Sequence, residues 1–488
     1  MLQRFFLSIA LVFSASQMFA QAGDSLHLGL TDAVRRAKAN SIDALYARTS
    51  RDISLQSWRL YKATLRPDVL VSGQLPGINR RYEGVRQPDG SVVYQEVFQG
   101  RSELDFSLRQ VIPFTGGNVS LYSSLDRFDN FDSENRGSSY SGSPVGIRLD
   151  QPLFAYNDFR WKKQIEPLNY KASERKYVES MEKIGVQAAT AFFDLYSKQR
   201  EVQRVKENIQ RANIKLSIAK KRFSIGTITE NDLLQLELST LKSQEELAQA
   251  ELDYAQASRV LRRLLDLDPM LPIKLDLPAE IPGFVPEPNF AAEIALKNRP
   301  DMVEAERDLL QAKAGADRAR KEGFSANLNA SAGWDTRTEK LDGYYKDMIE
   351  RQTVSVRLSV PIVDWGKNKA RKAQAESRLR LAEISSLRAE ENVSQEASVK
   401  ASRLVMARRK IGINERSMAI AKKRYEIASK RYDNGDLSVL ELITALREMD
   451  EADRGYVKAL QSFWNEYYGL RAMTLYDFET GQSLLPEE

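Results

Sequence analysis

The feature that most constrains this chain is that it is written twice. Ile218 to Leu234 reads IAKKRFSIGTITENDLL, and Ile427 to Ile443 reads IASKRYDNGDLSVLELI. Placing Gly226 on Gly435 (435 − 226 = 209) also sets Lys221 on Lys430, Arg222 on Arg431 and Phe223 on Tyr432. In both copies an apolar-periodic run ends in an aromatic, Gly follows three residues later, and a second periodic run begins. A Gly just past a helix end supplies a left-handed cap, and Thr229 or Ser438 can cap the helix that follows. Each copy predicts a tight helical hairpin. The same offset lays Val145–Pro152 on Val354–Pro361, whereas Lys62–Gly73 falls on Lys321–Ala332 at an offset of 259. The difference, 259 − 209 = 50, places about fifty extra residues between Gly73 and Val145. The chain is a tandem duplication with one insertion.

Composition removes several function classes. Lys plus Arg number 72 against 67 Asp plus Glu, interspersed as on solvated helix faces, so no nucleic-acid partner is expected. There is no cysteine, which removes disulfides, thiolate metal sites and a lipid-modified N-terminal Cys. The one histidine, His27, leaves no basis for His-based zinc or triad chemistry, and no catalytic residue, cofactor or metal is expected. Residues 1–22 have the form of a secretory signal peptide. Arg4 supplies the charged start, Phe5–Phe13 the apolar stretch, and Ala20-Gln21-Ala22 the small-residue cleavage site. No later segment is apolar enough to span a bilayer as a helix, so an exported chain of this kind is either soluble or a β-barrel.

The first repeat spans 23–265, with a helix predicted over 30–66, strands and loops over 67–157, and long helices over 158–265. A linker over 266–288, within a stretch holding six prolines, leads to the second repeat, 289–474. There a helix is predicted over 289–323, strands and loops over 324–365 and long helices over 366–472, followed by a tail, 475–488. The strand blocks have period two: Val69 and Val71; Leu104, Phe106 and Leu108; Val119 and Leu121; Val145, Ile147 and Leu149; Leu328 to Trp334; Val354 to Val360. The stretches 76–99, 128–143 and 335–353 read as polar loops. The helices carry heptad seams, such as Val202, Val205, Ile209, Ala212, Leu216, Ala219 and Phe223. A helix of about 65 residues is about 100 Å long, a reach no compact globule needs.

An exported coiled-coil structural or adaptor protein without a pore explains the helices and leaves the strands without purpose. An ordinary outer-membrane barrel explains the strands alone. A barrel continued by a helical tunnel accounts for both, and one chain supplies too few strands to close it, so several chains contribute. The duplicated strand–strand–long helix–Gly hairpin–helix plan, with its two R-[FY]-x-x-G hairpins, resembles the TolC-like outer-membrane factor (outer membrane efflux protein) family over essentially the whole mature chain. The resemblance implies a mixed α and β membrane protein: a homotrimer with an outer-membrane β-barrel continued by a long periplasmic α-helical barrel. It implies a passive exit duct, not an enzyme, for a tripartite efflux pump or type I secretion system. Its partners would be outer-membrane lipid, a periplasmic adaptor and an inner-membrane transporter of RND or ABC type. The insertion departs from the family's plan: strand parity predicts six strands per chain, two beyond the usual four and about eighteen in a trimer, the alternative being that the extra hairpin packs outside or above a twelve-stranded barrel.

On this plan Arg109, Arg148 and Arg357 occupy the polar strand face, which becomes the barrel lumen, because a lipid-facing Arg at mid-membrane costs ~2–4 kcal/mol. Tyr156, Trp334 and Trp365 flank strand ends as candidate interfacial aromatics. The hairpin tips, Ile225, Gly226 and Thr227 with Gly435, Asp436 and Leu437, are candidate adaptor-docking sites by the resemblance. Six residues beyond each Gly stands an acid, Asp232 and Glu441; the same resemblance implies that acids at this position of the second repeat line the periplasmic aperture, which makes Glu441 the aperture candidate with Asp232 beside it. Their competing role is to complement the N-terminal end of the returning helix, worth a few tenths to ~1 kcal/mol.

Overall fold

A computed structural model describes residues 26–131, 136–268, 271–278 and 280–486; the expected signal peptide lies outside the described residues. The chain divides into two compact units. One holds the described residues up to Arg51, then Glu174–Pro300 and Glu390 onward; the other holds Asp52–Ser173 and Asp301–Ala389.

The second unit is built on one antiparallel sheet. Its strands are β2 (Asp68–Arg86), β3 (Val92–Ile112), β4 (Gly117–Asn130), β5 (Gly137–Leu153), β7 (Ser325–Thr338) and β8 (Ile349–Ser359), in that spatial order. Six strands is the number the insertion predicts. The repeat assigns β2 and β5 as the counterparts of β7 and β8. In the second half the two pair directly, and in the first the inserted β3–β4 hairpin lies between them. The stretch 76–99, read from sequence as a loop, is instead strand. Ile78–Arg86 pairs with Val92–Gly100 around a turn at 87–91, beyond a register shift at Gln74/Gly77. Pro76, Gly77 and Gly84 look like loop residues, but the irregularity at Gln74/Gly77 lets the ladder resume.

Helices make up most of the first unit and part of the second. Of these, α1 (Leu30–Asn40) and α2 (Ile42–Thr64) replace the single predicted helix over 30–66, and α5 (Pro288–Asn298) and α6 (Pro300–Lys321) replace the one over 289–323. The breaks have local causes. Ser41 turns extended and accepts the Ala44 N–H on its Oγ, starting a new helix. Arg299 precedes Pro300, which disfavours helical backbone at the residue before it. The long helices are α3 (Asp158–Ser224), α4 (Glu230–Leu265), α7 (Lys367–Asn434) and α8 (Val439–Thr474). Strand β1 (Leu26–Gly29) pairs in parallel with β6 (Ile273–Asp276) from the linker, and His27 Nδ1 lies 3.0 Å from Asp276 at the surface. The main core gathers Ala33, Ala37, Phe192, Phe193, Leu261, Leu404, Phe463 and Leu470. Small residues such as Ala33, Ala188 and Ala401, fully buried, let helix axes approach closely. Among the described residues no helix is long and apolar enough to cross a membrane.

Candidate channel surfaces and hairpin ends

The register sorts the sheet into two faces. Directly opposed residues share a face, so Val69, Leu108, Leu121, Ile147 and Ala332 form one row, and Val119, Leu149, Ala330 and Val354 the next. Val69, Val71, Phe106, Leu121, Ile147, Val354 and Val356 are all exposed, an apolar face far larger than scattered surface residues produce. On the opposite face Asp68, Arg109, Ser120, Arg148, Ser331 and Thr353 form a row. Arg357, opposite Asn327 and four residues beyond Thr353 on β8, lies on this same face. All three candidate lumen arginines are exposed there, with Arg148 4.8 Å from the Tyr122 ring centroid. Both edge strands, β2 and β8, have one side with no partner strand among the described residues. Of the aromatics singled out in the sequence, Trp334 joins the apolar face opposite Val145. Trp365 is 96% exposed at left-handed backbone, and Tyr156 is covered by the Arg318 guanidinium at 4.4 Å.

The two hairpins share their geometry almost atom for atom. Gly226 (φ +73°) and Gly435 (φ +92°) occupy the left-handed region. Gly226 N–H donates to Phe223 O at 2.9 Å and Thr227 N–H to Arg222 O at 2.9 Å. Gly435 N–H donates to Tyr432 O at 3.0 Å and Asp436 N–H to Arg431 O at 2.9 Å. This is the Schellman closure twice over. Each returning helix then opens with a capping box. Asp232 N–H donates to Thr229 Oγ1 while the Asp232 carboxylate accepts from the Thr229 N–H and hydroxyl, and Glu441 does the same with Ser438. The Ser438 bonds hold the Glu441 carboxyl below the usual range. Both aperture candidates therefore complete the helix start, the competing role foreseen for them. Ile225, Gly226, Thr227, Gly435 and Asp436 are exposed, and Leu437 packs partly against the small core of Ala219, Leu236, Tyr425, Tyr432, Val439 and Leu442.

The hairpins are tied to each other by contacts that the R-[FY]-x-x-G motif does not announce. Arg222 Nη1 donates to Tyr432 O at 2.9 Å, its Nη2 to Asp433 O, and Lys215 Nζ lies 2.6 Å from the Asp433 carboxylate. Higher along α3 and α8 runs an ionic cluster: Arg200 with Asp453 (3.2 Å), Glu201 with Arg454 (3.1 Å), and Arg204 with both Glu201 and Asp450. Arg204 and Asp450 are buried, and Asn208 donates to Asp450 at 2.8 Å. Burial pushes the Asp450 carboxyl up against the pull of Arg204. For Glu201 burial is outweighed by Arg454 and Arg204, and its carboxyl sits low. No local spacing announces the pairs between α3 and α8, since their members lie about 250 residues apart. Among the described residues no cluster of His, Cys, Asp and Glu is placed to hold a metal ion.

Comparison with known proteins follows the same outline. The sequence profile of the outer membrane efflux protein family matches residues 116–266 and 291–474. The cation efflux system protein CusC of Escherichia coli K12 is 21% identical over 335 residues, 66% of this chain and 73% of CusC. A crystal structure of CusC superposes with a TM-score of 0.64 at 17% identity, covering 94% of this chain and 95% of that one. The Campylobacter jejuni CmeC outer membrane channel gives a TM-score of 0.66 at 17% identity, covering 91% of this chain and 85% of CmeC.

Proposed function

As a member of the outer membrane efflux protein family, this chain is an outer-membrane exit duct of an efflux pump, and we propose that it acts as a homotrimer whose three sheets close into one barrel. The observation that carries this reading is the six-stranded sheet, apolar and exposed on one face, polar on the other, and unpaired at both edges. Neighbours in the sheet are all antiparallel, so β2 and β8 run in opposite senses. An edge β8 of one copy thus meets an edge β2 of the next in antiparallel register. Closure removes edges that otherwise invite aggregation. The shortest of the six strands has 11 residues, enough for the 9–11 or so that a tilted membrane strand needs. Three copies supply about eighteen strands, which leaves an aqueous lumen.

The helical unit then stands in the periplasm, and the charged rows of Arg109, Arg148 and Arg357 face water in the lumen. The exposed tips Ile225–Thr227 and Gly435–Leu437 dock a periplasmic adaptor coupled to an inner-membrane transporter. Threefold symmetry brings Glu441, and Asp232 beside it, into a ring at the aperture, each carboxylate also capping its helix. Transport through such a duct is passive, and the chemistry it needs is electrostatic and mechanical. The test is detergent extraction, native mass measurement and reconstitution in planar bilayers. A trimeric mass with discrete conductance steps is expected; a water-soluble monomer without conductance would overturn the assembly.

A further inference from the structure

The duplication makes every contact between the two halves of one chain a template for a contact between chains. Resting on the trimeric reading above, six hairpins alternate around the ring. The step from first to second repeat lies within a chain, and the step from second back to first lies between chains. We propose that this second step is made by an apolar face of α7 seated on α3 and α4 of a neighbouring copy, with Ile413 against Leu241, Lys410 against Glu245, and Arg431 over Phe223.

Each pair is the image of one the chain shows. The offset of 209 relates Arg204 to Ile413 and Leu241 to Asp450. Within the chain Arg204 and Asp450 are buried against each other; their counterparts Ile413 and Leu241 are 68% and 62% exposed. Both members of this pair are apolar where both members of the other are charged, and both lack a cover. The same offset relates Glu201 to Lys410 and Glu245 to Arg454. The ion pair of 3.1 Å between Glu201 and Arg454 returns with its signs exchanged and its complementarity kept, as Lys410 with Glu245. At the tip, Arg222 covers Tyr432, which is buried, while its counterpart Arg431 and the counterpart of Tyr432, Phe223, are both exposed.

A longer pattern agrees. Val399, Met406, Ile413, Ile420 and Ile427 stand seven apart on α7, and all five are exposed. A heptad stripe of this length is a helix-packing seam. Its counterparts on α3 include Thr190, Arg204 and Arg211. Thr190 bonds Asn465 at 3.1 Å, Arg204 meets Asp450, and Arg211 lies 5.6 Å from the Tyr425 ring. The ring is thus chemically alternating: an ionic seam inside each chain and an apolar one between chains.

The absence of native cysteine makes the test direct. The full-length chain carrying Ile413→Cys and Leu241→Cys is treated in outer-membrane extracts with a short bis-maleimide and run on denaturing gels. Covalent dimer and trimer bands, absent from either single variant, are expected. Asp194→Cys with Gln461→Cys, whose native side chains bond at 2.6 Å within the chain, should give only linked monomer. Monomer bands alone from the Ile413/Leu241 pair, with a trimeric native mass, would overturn the junction and leave the trimer standing. A monomeric native mass would remove both. As a second arm, Lys410→Glu should lower the trimer fraction and Glu245→Lys added to it should restore it; no recovery counts against the pairing.

Discussion

Replacing Arg204 and Asp450 by the residues their counterparts carry, Arg204→Ile with Asp450→Leu, turns the inner seam into a copy of the outer one. Removing only Arg204 leaves Asp450 buried with Asn208 as its donor, and breaking a buried pair costs about 3–5 kcal/mol. Removing only Asp450 leaves Arg204 with Glu201 still in contact, so about 3 kcal/mol, the low end of that range, is expected. The double variant strands no charge from the pair and should lie within about 1 kcal/mol of the parent. Denaturant midpoints followed by far-ultraviolet circular dichroism close the double-mutant cycle, provided the slopes match. Acid adds a sign. A carboxyl whose folded pKa is raised favours the native state progressively as pH falls through that pKa. The penalty of Arg204→Ile alone should therefore shrink as pH falls toward the ordinary carboxylate range. A double variant as unstable as the two singles summed, or a penalty that grows in acid, would refute the reasoning.

Three further outcomes follow from the site. Gly435→Val should destabilise the second hairpin by roughly 1–2 kcal/mol, because nothing but the left-handed backbone demands Gly there, and thermal melts of the trimer would read it. Glu441→Gln keeps the capping box and removes the charge, so it should weaken block by multivalent cations and cost only a few tenths of a kcal/mol, whereas Glu441→Ala should weaken block and lose ~1 kcal/mol. Equal block in parent and Gln variant, measured in planar bilayers, would confine Glu441 to capping. Glu201 is held low, so its stabilisation is present above the ordinary glutamate pKa and lost as pH falls through the folded value. Glu201→Gln should flatten the acid limb of the stability profile, seen in melts across a pH series.

The hairpins were legible because their signals are local: Gly226 and Gly435, the N-caps Thr229 and Ser438, and the acids three residues on all act within one turn. Strand number was legible because alternation survives in each strand and parity fixes an even count. What sequence hid was of two kinds. The extension of β2 and β3 through 76–99 was masked by Pro76, Gly77 and Gly84, whose turn propensity is overridden by seventeen paired positions. The ionic seam was hidden by distance, since Arg204 and Asp450 carry no mutual spacing rule. The break at Arg299 was signalled by Pro300 in plain sight; that at Ser41 needed its hydroxyl to be seen on the Ala44 amide.

Strands β2 and β3 run on past the last rung of β4, where Gln99 faces Asn130, so that among the described residues Arg80–Arg86 and Val92–Phe98 have no ladder partner but each other, the Phe131 N–H donating to Phe98 O at their base. Seven such pairs, at about 3.4 Å each, carry the turn about 24 Å beyond the common sheet. A ladder two strands wide opens independently of the body that bears it. Its amides should exchange with heavy water well before those of β4 and β5. The turn at 87–91 is consequently where the chain can gain or lose residues without shifting any register below. If the barrel sits in the membrane as proposed, this is the cell's outermost backbone from this protein, cut first by added protease and first met by an antibody.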